Sequence, residues 1–293
     1  MKCVVQGVVA CALTAVLCGC GSSPLYRVER PEALMDLQAE PAGEVLFVLT
    51  AASEQRLADG SRRQTGFFLG EFYEPYKALT DAGYTVAVAT ADGAAPVVDP
   101  ESLKVDYWKD NPEDLKEAQR VIDQILSSKA WMGIAEANGQ WRRFQAVVVP
   151  GGQGVMEDLV DNRQLHELVA QMGAEDRPVG LICHAPAVLL RMAPQDNPFV
   201  GRRVTSVSGT EEWYIETFIM DAEARLRMIG PQLDEQGFKH ESAFPGRGHA
   251  VRDCNLVTSQ NPFSGAQFNA LFLEALEDWR SGGRCVLSDE DAS

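Results

Sequence analysis

The stretch Arg177-Pro178-Val179-Gly180-Leu181-Ile182-Cys183-His184-Ala185-Pro186-Ala187-Val188-Leu189-Leu190 constrains this chain more than any other. A short apolar run ends at a cysteine, a histidine follows, and small residues suited to a helix start come at once. An apolar run without polar alternation marks a strand buried on both faces, as in a parallel sheet. A strand that passes into a helix through one reactive residue is a nucleophile elbow. The turn lifts the side chain into open space, and the N–H groups of the next helix point at it. A helix N-terminus and a neighbouring histidine both favour thiolate, so the thiol of Cys183 is expected to titrate below its usual range. The competing reading is a buried structural cysteine at a strand end.

The same grammar recurs along the chain. Residues 44–50 and 84–90 read as buried strands, separated by a polar loop over 53–64 and a helix over 71–82 that Gly83 closes. A third strand over 145–150 runs into Gly151-Gly152-Gln153-Gly154, and a helix is predicted over 155–172. After the elbow strand, 178–182, a helix continues to about Met192. A strand over 203–207, a helix from Glu211 to about Ile229, a strand over 255–259 and an amphipathic helix over 265–279 complete the pattern. Alternating strands and helices predict a single doubly wound α/β domain over 44–280, with a flavodoxin-like, mostly parallel sheet sandwiched by helices. Residues 93–143 break the rhythm with a helix from Pro112 to about Ser127. They read as an insertion or cap that walls a pocket over the sheet end; the alternative is a plain crossover with a long loop. The tail, 281–293, is polar and acidic.

The N-terminus belongs to targeting, not to the fold. Lys2 precedes an apolar run from Val4 to Leu17, and small residues follow. That is a secretory signal over 1–19, too short for a membrane-spanning helix. Leu17-Cys18-Gly19-Cys20 resembles a bacterial lipobox, which implies cleavage before Cys20 and a diacylglycerol anchor on its sulfur. Gly21 in place of aspartate fits outer-membrane sorting, so a periplasm-facing lipoprotein is expected, held off the membrane by a tether over 20–43. The alternative is an ordinary cleaved signal. A formal net charge of −16 argues against nucleic-acid partners and against a polybasic membrane patch. With Cys3, Cys11 and Cys18 leaving in the signal and Cys20 lipidated, Cys183, Cys254 and Cys285 remain. A Cys254–Cys285 disulfide is allowed but not demanded. No cysteine pair has metal-ligand spacing and the histidines are scattered at 166, 184, 240 and 249, so no metal site is expected.

Two segments together carry a family resemblance. Val147-Val148-Val149-Pro150-Gly151-Gly152-Gln153-Gly154 and Gly180-Leu181-Ile182-Cys183-His184-Ala185-Pro186-Ala187 resemble the ThiJ/PfpI superfamily of the class I glutamine amidotransferase-like fold, over roughly 44–280. The segments from Thr65 to Tyr76, Gly201 to Thr205 with Glu211-Glu212, and Leu256 to Pro262 are similar to the heat-shock-protein-31-type branch, which includes glutathione-independent glyoxalase III. The resemblance implies Cys183 as nucleophile and His184 as general base or acid. It implies Glu212 as the carboxylate that orients His184, with Glu211 as fallback. Glu71 is implied as the carboxyl that meets the sulfur, with Glu74 as its competitor, and the N–H groups of Gly151 and Gly152 as oxyanion donors. Burial beside a thiolate is expected to raise the pKa of Glu71. The branch commonly has histidine where this chain has Gln153, which puts a pocket contact in question. His249 reads as a surface-loop residue, and His166 and His240 as structural.

The implied activity is cofactor-independent conversion of methylglyoxal to lactate, a lyase of the D-lactate dehydratase type acting on a small aldehyde or ketoaldehyde. Such relatives often dimerise, so a homodimer is expected. Two other classes remain in view: a cysteine amidase or peptidase of the same superfamily, and a non-enzymatic envelope chaperone or thiol redox sensor.

Overall fold

Strand β1 (Gly43–Leu49) is apolar from Val45 onward, and each of Val45, Leu46, Phe47, Val48 and Leu49 is 0 % exposed. A strand with no wet face can survive only in the middle of a sheet covered on both sides. In the computed structural model, which describes residues 41–109 and 111–284, β1 holds that place. It pairs in parallel with β4 (Tyr84–Thr90) on one side and β6 (Ala146–Val149) on the other. The hairpin strands β2 (Glu54–Arg56) and β3 (Arg62–Gln64) lie between β1 and β4 in the chain but outside the central sheet.

Seven strands make that sheet, in the order β10-β11-β7-β6-β1-β4-β5, with β5 at Met132–Gly133, β7 at Val179–Ile182, β10 at Ala250–Asp253 and β11 at Leu256–Ser259. Every neighbouring pair is parallel except β10 with β11. The chain winds outward from β1 through β4 and β5, then returns to lay β6, β7 and β11 on the other side. The order therefore reverses between β1 and β6. Such a switch point opens a crevice beyond the carboxyl ends of the strands, where doubly wound sheets place their ligands. The expected doubly wound architecture is the one observed.

Helices flank the sheet: α1 (Leu69–Asp81), α2 (Pro112–Ser128), α3 (Ile134–Gly139), α4 (Val155–Asp158), α5 (Arg163–Ala174), α6 (Gly209–Tyr214), α7 (Ile229–Glu235) and α8 (Gly265–Arg280). Helix α1 packs against α8, and α3 against α5. Phe72 of α1 meets Phe47 of β1 edge to face at 5.4 Å, and Phe268 and Phe272 of α8 stack at 5.4 Å. No helix among the described residues is long and apolar enough to cross a membrane.

Four expected elements come out differently, each for a local reason. The helix predicted over 155–172 is two, α4 and α5, because Asn162 breaks it and caps α5 by accepting the Leu165 N–H at 3.0 Å. The segment after Cys183 is a 3₁₀ helix, Ala185–Arg191, not an α-helix. The predicted strand over 203–207 is cut to β8 (Arg203–Val204), which pairs with β9 (Lys239–His240) in a separate small sheet. Its continuation is drawn across the end of the main sheet instead. The Thr205 N–H donates to Thr258 Oγ1 at 2.8 Å, and the Val207 N–H to the Cys183 carbonyl at 2.9 Å.

The long helix predicted from Glu211 to Ile229 ends early. Helix α6 passes into a π-helical turn, Ile215–Met220, and stops at Asp221 in left-handed conformation (φ 55°). Two carboxylates hold the chain as it doubles back: Glu216 accepts the Ala224 N–H at 3.0 Å, and Glu212 accepts the Met228 N–H at 2.9 Å. Residues 99–109, within the 93–143 stretch, reach over the carboxyl end of the sheet and line the cavity there. Residues 1–40, which carry the signal and Cys20, and Cys285 with the rest of the tail lie outside the described residues, as does the Cys254–Cys285 pairing. Among the described residues Cys254 has no disulfide partner.

Gly180 sets how closely α8 can approach the elbow strand. A Cβ at this position would stand 2.7 Å from Phe268 Cζ and 3.0 Å from Phe272 Cε2. Overpacking of that kind costs about 1–3 kcal/mol. Gly180→Val is therefore expected to lower the urea midpoint by a corresponding amount, measured by circular dichroism, while Gly139→Ala, at a position with open space around it, is expected to cost less than half as much.

Candidate active site

Cys183 stands at the end of β7 with φ 60°, a left-handed conformation that a non-glycine residue rarely adopts. Two backbone bonds hold it there. Its N–H donates to the Ser259 carbonyl of β11 at 2.7 Å, and its carbonyl accepts the Val207 N–H. The strained turn aims the side chain into the crevice at the switch point, where strain of this kind commonly marks function. Cys183 is 5 % exposed and sits at the base of a cavity of about 680 Å³.

Two of the expected partners, Glu71 and His184, converge on its sulfur. Glu71, in the first turn of α1, is 3 % exposed, and its Oε2 accepts the Gly151 N–H at 2.9 Å. Gly151 must lack a side chain for this contact, since a Cβ would lie 2.7 Å from Glu71 Oε2 and 2.8 Å from Cys183 Cβ. The competing Glu74 lies instead against Gly265 at the start of α8. His184 is 3 % exposed, with Nδ1 3.2 Å from Cys183 Sγ. The backbone N–H of His184 also donates to the sulfur.

Gly151 and Gly152 do not act as a matched pair of oxyanion donors, because Glu71 already takes the Gly151 N–H. The Gly152 N–H makes no hydrogen bond among the described residues, and Gly152 lines the cavity.

Glu212 is not where the sequence reading put it. Its carboxylate is spent on the Met228 N–H, and no bond joins it to His184. Glu211 does not replace it. Its Oε2 takes the Ser208 N–H at 3.0 Å and the Gln260 Nε2–H at 3.0 Å, and its Oε1 takes the Gly246 N–H and the Asn261 Nδ2–H. Both carboxylates brace loops around the cavity. The group that meets His184 Nε2 is Gln153 Nε2, at 3.0 Å.

Gln153 in turn accepts from Gln55 Nε2 at 2.7 Å, and Gln55 Oε1 accepts from Arg63 Nη1 at 3.4 Å. Gln55 and Arg63 are cross-strand partners in the β2–β3 hairpin, the stretch read from sequence as a polar loop. The missed signal was Asp59-Gly60, the dipeptide that most strongly marks a tight hairpin. His249 is half-buried and makes no contact with the cavity. His166 and His240 are structural: the Nε2 atoms lie 2.7 Å from the Val160 carbonyl and 3.1 Å from Ser206 Oγ.

Burial dominates the electrostatics. Desolvation raises Glu71 to about 8, opposed by its contacts with Cys183 and the Gly151 N–H. Desolvation, then the carboxylates of Glu71 and Glu211, push the Cys183 thiol up as well. This reverses the lowered value expected of an elbow. The 3₁₀ segment that follows lacks the aligned N-terminal turn of an α-helix, and two acids face the sulfur. Desolvation, then the Arg63 charge, lowers His184 to about 4, so its ring is neutral at pH 7. Near neutral pH the carboxyl and the thiol are therefore both held mainly in their protonated forms in a dry site. Because Oε2 is held by Gly151, the carboxyl proton belongs on Oε1, a buried atom with no other hydrogen-bond partner.

The two acids can be told apart by alkylation and stability. Glu71→Gln removes a negative charge beside the sulfur, so the pH midpoint for iodoacetamide alkylation of Cys183 is expected to fall. Glu212→Gln is expected to leave it in place. The folded-state pKa of Glu71 lies above its ordinary value of 4.5, so the folded chain binds the extra proton between pH 4.5 and about 8. Its ionisation therefore costs stability progressively as pH rises through that window. Glu71→Gln should match the unmodified chain near pH 4.5 and exceed it increasingly toward pH 8 in urea titrations.

Known proteins share this fold. The DJ-1/PfpI family matches residues 64–275. A protein/nucleic acid deglycase HchA of Pseudomonas aeruginosa is 28 % identical over 247 residues, covering 80 % of each chain. A glutathione-independent glyoxalase, hsp3101 of Schizosaccharomyces pombe, is 23 % identical over 232 residues, 76 % of this chain and 91 % of that one. Among solved structures, glyoxalase III from Candida albicans superposes with a TM-score of 0.64 at 21 % identity, over 80 % of this chain and 97 % of that one. The deglycase name extends to nucleic acid, a substrate class that the charge of −16 argued against. With a match that runs from the last residue of β3 into the last helix, this chain belongs to the DJ-1/PfpI family.

Proposed function

We propose that this chain detoxifies reactive carbonyl compounds without a cofactor, converting a 2-oxoaldehyde such as methylglyoxal to the hydroxy acid, lactate. The observation that carries the reading is the convergence of Glu71, His184 and Cys183 at the base of a cavity open to small molecules. The names of the related glyoxalases and deglycases support the same substrate class.

Each step uses a group already in place. In its ionised form, accessible near neutral pH with a pKa of about 8, Glu71 takes the thiol proton on Oε1 as the sulfur attacks the aldehyde carbon, giving a hemithioacetal. The carbonyl oxygen gains charge beside the Gly152 N–H and collects that proton from Glu71, which is left ionised. A base then removes the C1 hydrogen and returns a proton to C2 through an enediolate, leaving the lactate thioester. Glu71, tuned near neutrality, suits both halves of that transfer. Water cleaves the thioester and restores the thiol, so methylglyoxal plus water gives lactate.

A second reading concerns substrate size. The cavity far exceeds a three-carbon aldehyde, and Trp213, Tyr214, Phe218 and Phe263 stand exposed among its lining residues. These apolar walls suit a carbonyl adduct carried on a polypeptide side chain. We further propose that the chain works as a lipoprotein anchored through Cys20, in the bacterial envelope.

Cys183→Ala is expected to abolish lactate formation from methylglyoxal while leaving the thermal midpoint within a few degrees. Turnover that survives would overturn the mechanism, and cleavage of amide or peptide substrates without lactate would favour a hydrolase. Suppressed aggregation or Cys183 sulfinate without turnover would favour a chaperone or redox sensor. In cells, Cys20→Ala is expected to shift the chain from the membrane to the soluble fraction and to remove the lipid mass from its N-terminal peptide.

A further inference from the structure

The contacts behind His184 form a chain with a direction. Arginine carries only donors, so the Arg63–Gln55 contact at 3.4 Å presents the Gln55 carbonyl oxygen to Arg63. The Gln55 amide nitrogen must then face away, and it donates to Gln153 Oε1 at 2.7 Å. That in turn leaves Gln153 Nε2 as the atom facing His184 Nε2 at 3.0 Å. An NH₂ group can only donate, so His184 Nε2 must accept. A neutral imidazole that accepts at Nε2 carries its proton on Nδ1, the nitrogen 3.2 Å from the Cys183 sulfur.

We propose that Arg63, Gln55 and Gln153 are positioning residues: a one-way relay of donors that fixes His184 as the Nδ1–H tautomer and makes it a hydrogen-bond donor to Cys183. His184 then does not take the thiol proton. Its Nδ1 is already protonated, and its Nε2 lone pair is occupied by Gln153. The proton leaves the sulfur toward Glu71, and His184 stabilises the thiolate it leaves behind. Gln55 is 1 % exposed and Gln153 6 % exposed, so water does not compete for these bonds. The charged groups that face the pair are Glu71 from α1, Glu211 from α6 and Arg63 from β3, the last weakened only by the more distant Asp99 at 3.9 Å.

The decisive substitution keeps the shape and reverses the direction. Gln55→Glu places a group that only accepts between Arg63 and Gln153. Gln153 must turn its amide nitrogen toward it, presenting Oε1 to His184, whose proton then moves to Nε2. Histidine-selective ¹⁵N NMR on the full chain reads this directly, with the His184 signals identified by their loss in His184→Asn.

The unmodified chain is expected to show a protonated Nδ1 and a bare Nε2 at pH 7, and Gln55→Glu the opposite. Losing a donor to a charged sulfur, worth about 1.5–3 kcal/mol, should slow Cys183 alkylation at fixed pH by about 10- to 100-fold, followed by peptide-resolved mass spectrometry. Should Gln55→Glu fail to fold, Arg63→Met removes the anchor, and the His184 signals are expected to move toward a tautomer mixture. A proton on Nε2 in the unmodified chain would overturn the relay, as would a tautomer that neither variant changes. Neither readout involves a substrate, so failure of the carbonyl chemistry would leave this test intact.

Discussion

The left-handed turn at Cys183 is the constraint on which the remainder depends. A cysteine at φ 60° is held only because β11 accepts its N–H and the segment after β8 donates to its carbonyl. Those two bonds explain features that look unrelated. They pull residues 205–207 off the sheet, so β8 is short and pairs elsewhere. They also tie the elbow to β11, which holds its register along β7 from Leu256–Val179 to Ser259–Ile182. The cost of the strained backbone is spread over a sheet whose inner strands have no exposed face.

The turn places the sulfur where water is scarce, and the dry setting governs the chemistry. In water, a carboxyl and a thiol several pKa units apart would ionise in sequence. Here desolvation raises both, and each carboxylate nearby raises the thiol further. The site therefore resists negative charge and, near neutral pH, keeps both Glu71 and Cys183 mainly protonated at rest. A resting thiol of this kind is protected from casual oxidation, since the thiolate is the reactive form. Reactivity then waits for a carbonyl that can absorb the charge.

The sheet was legible in the sequence because apolar runs such as 45–49 and 146–149 have no reading other than buried strand, and the elbow because a cysteine ends such a run. Glu71 was legible through its family segment and lies at the sulfur. What could not be read came from partners far apart in the chain. Glu212 looks like an orienting acid in its motif, yet its carboxylate answers a backbone N–H sixteen residues on, a demand created by the doubled-back loop. The shift of the thiol depends on Glu211 and Glu71 converging from different helices. Gln55 and Arg63 sit in a stretch whose composition says loop, and only cross-strand pairing shows that they face each other.

Gln153 sharpens why those hairpin residues matter. A carboxylate behind a histidine has a fixed polarity: it accepts, and it favours imidazolium by charge. An amide has no polarity of its own, since it can present oxygen or nitrogen with equal ease. Placed behind His184 alone, Gln153 would leave the tautomer undecided. The hairpin removes that freedom by ending the chain of amides at a residue that can only donate. Burial, then the Arg63 charge, keeps the ring neutral with a pKa near 4, and the relay decides which nitrogen carries its proton. A site that already strains to hold one negative charge has no carboxylate added behind the histidine, and the sulfur still receives an aimed N–H. Orientation is supplied by hydrogen-bond polarity, not by charge.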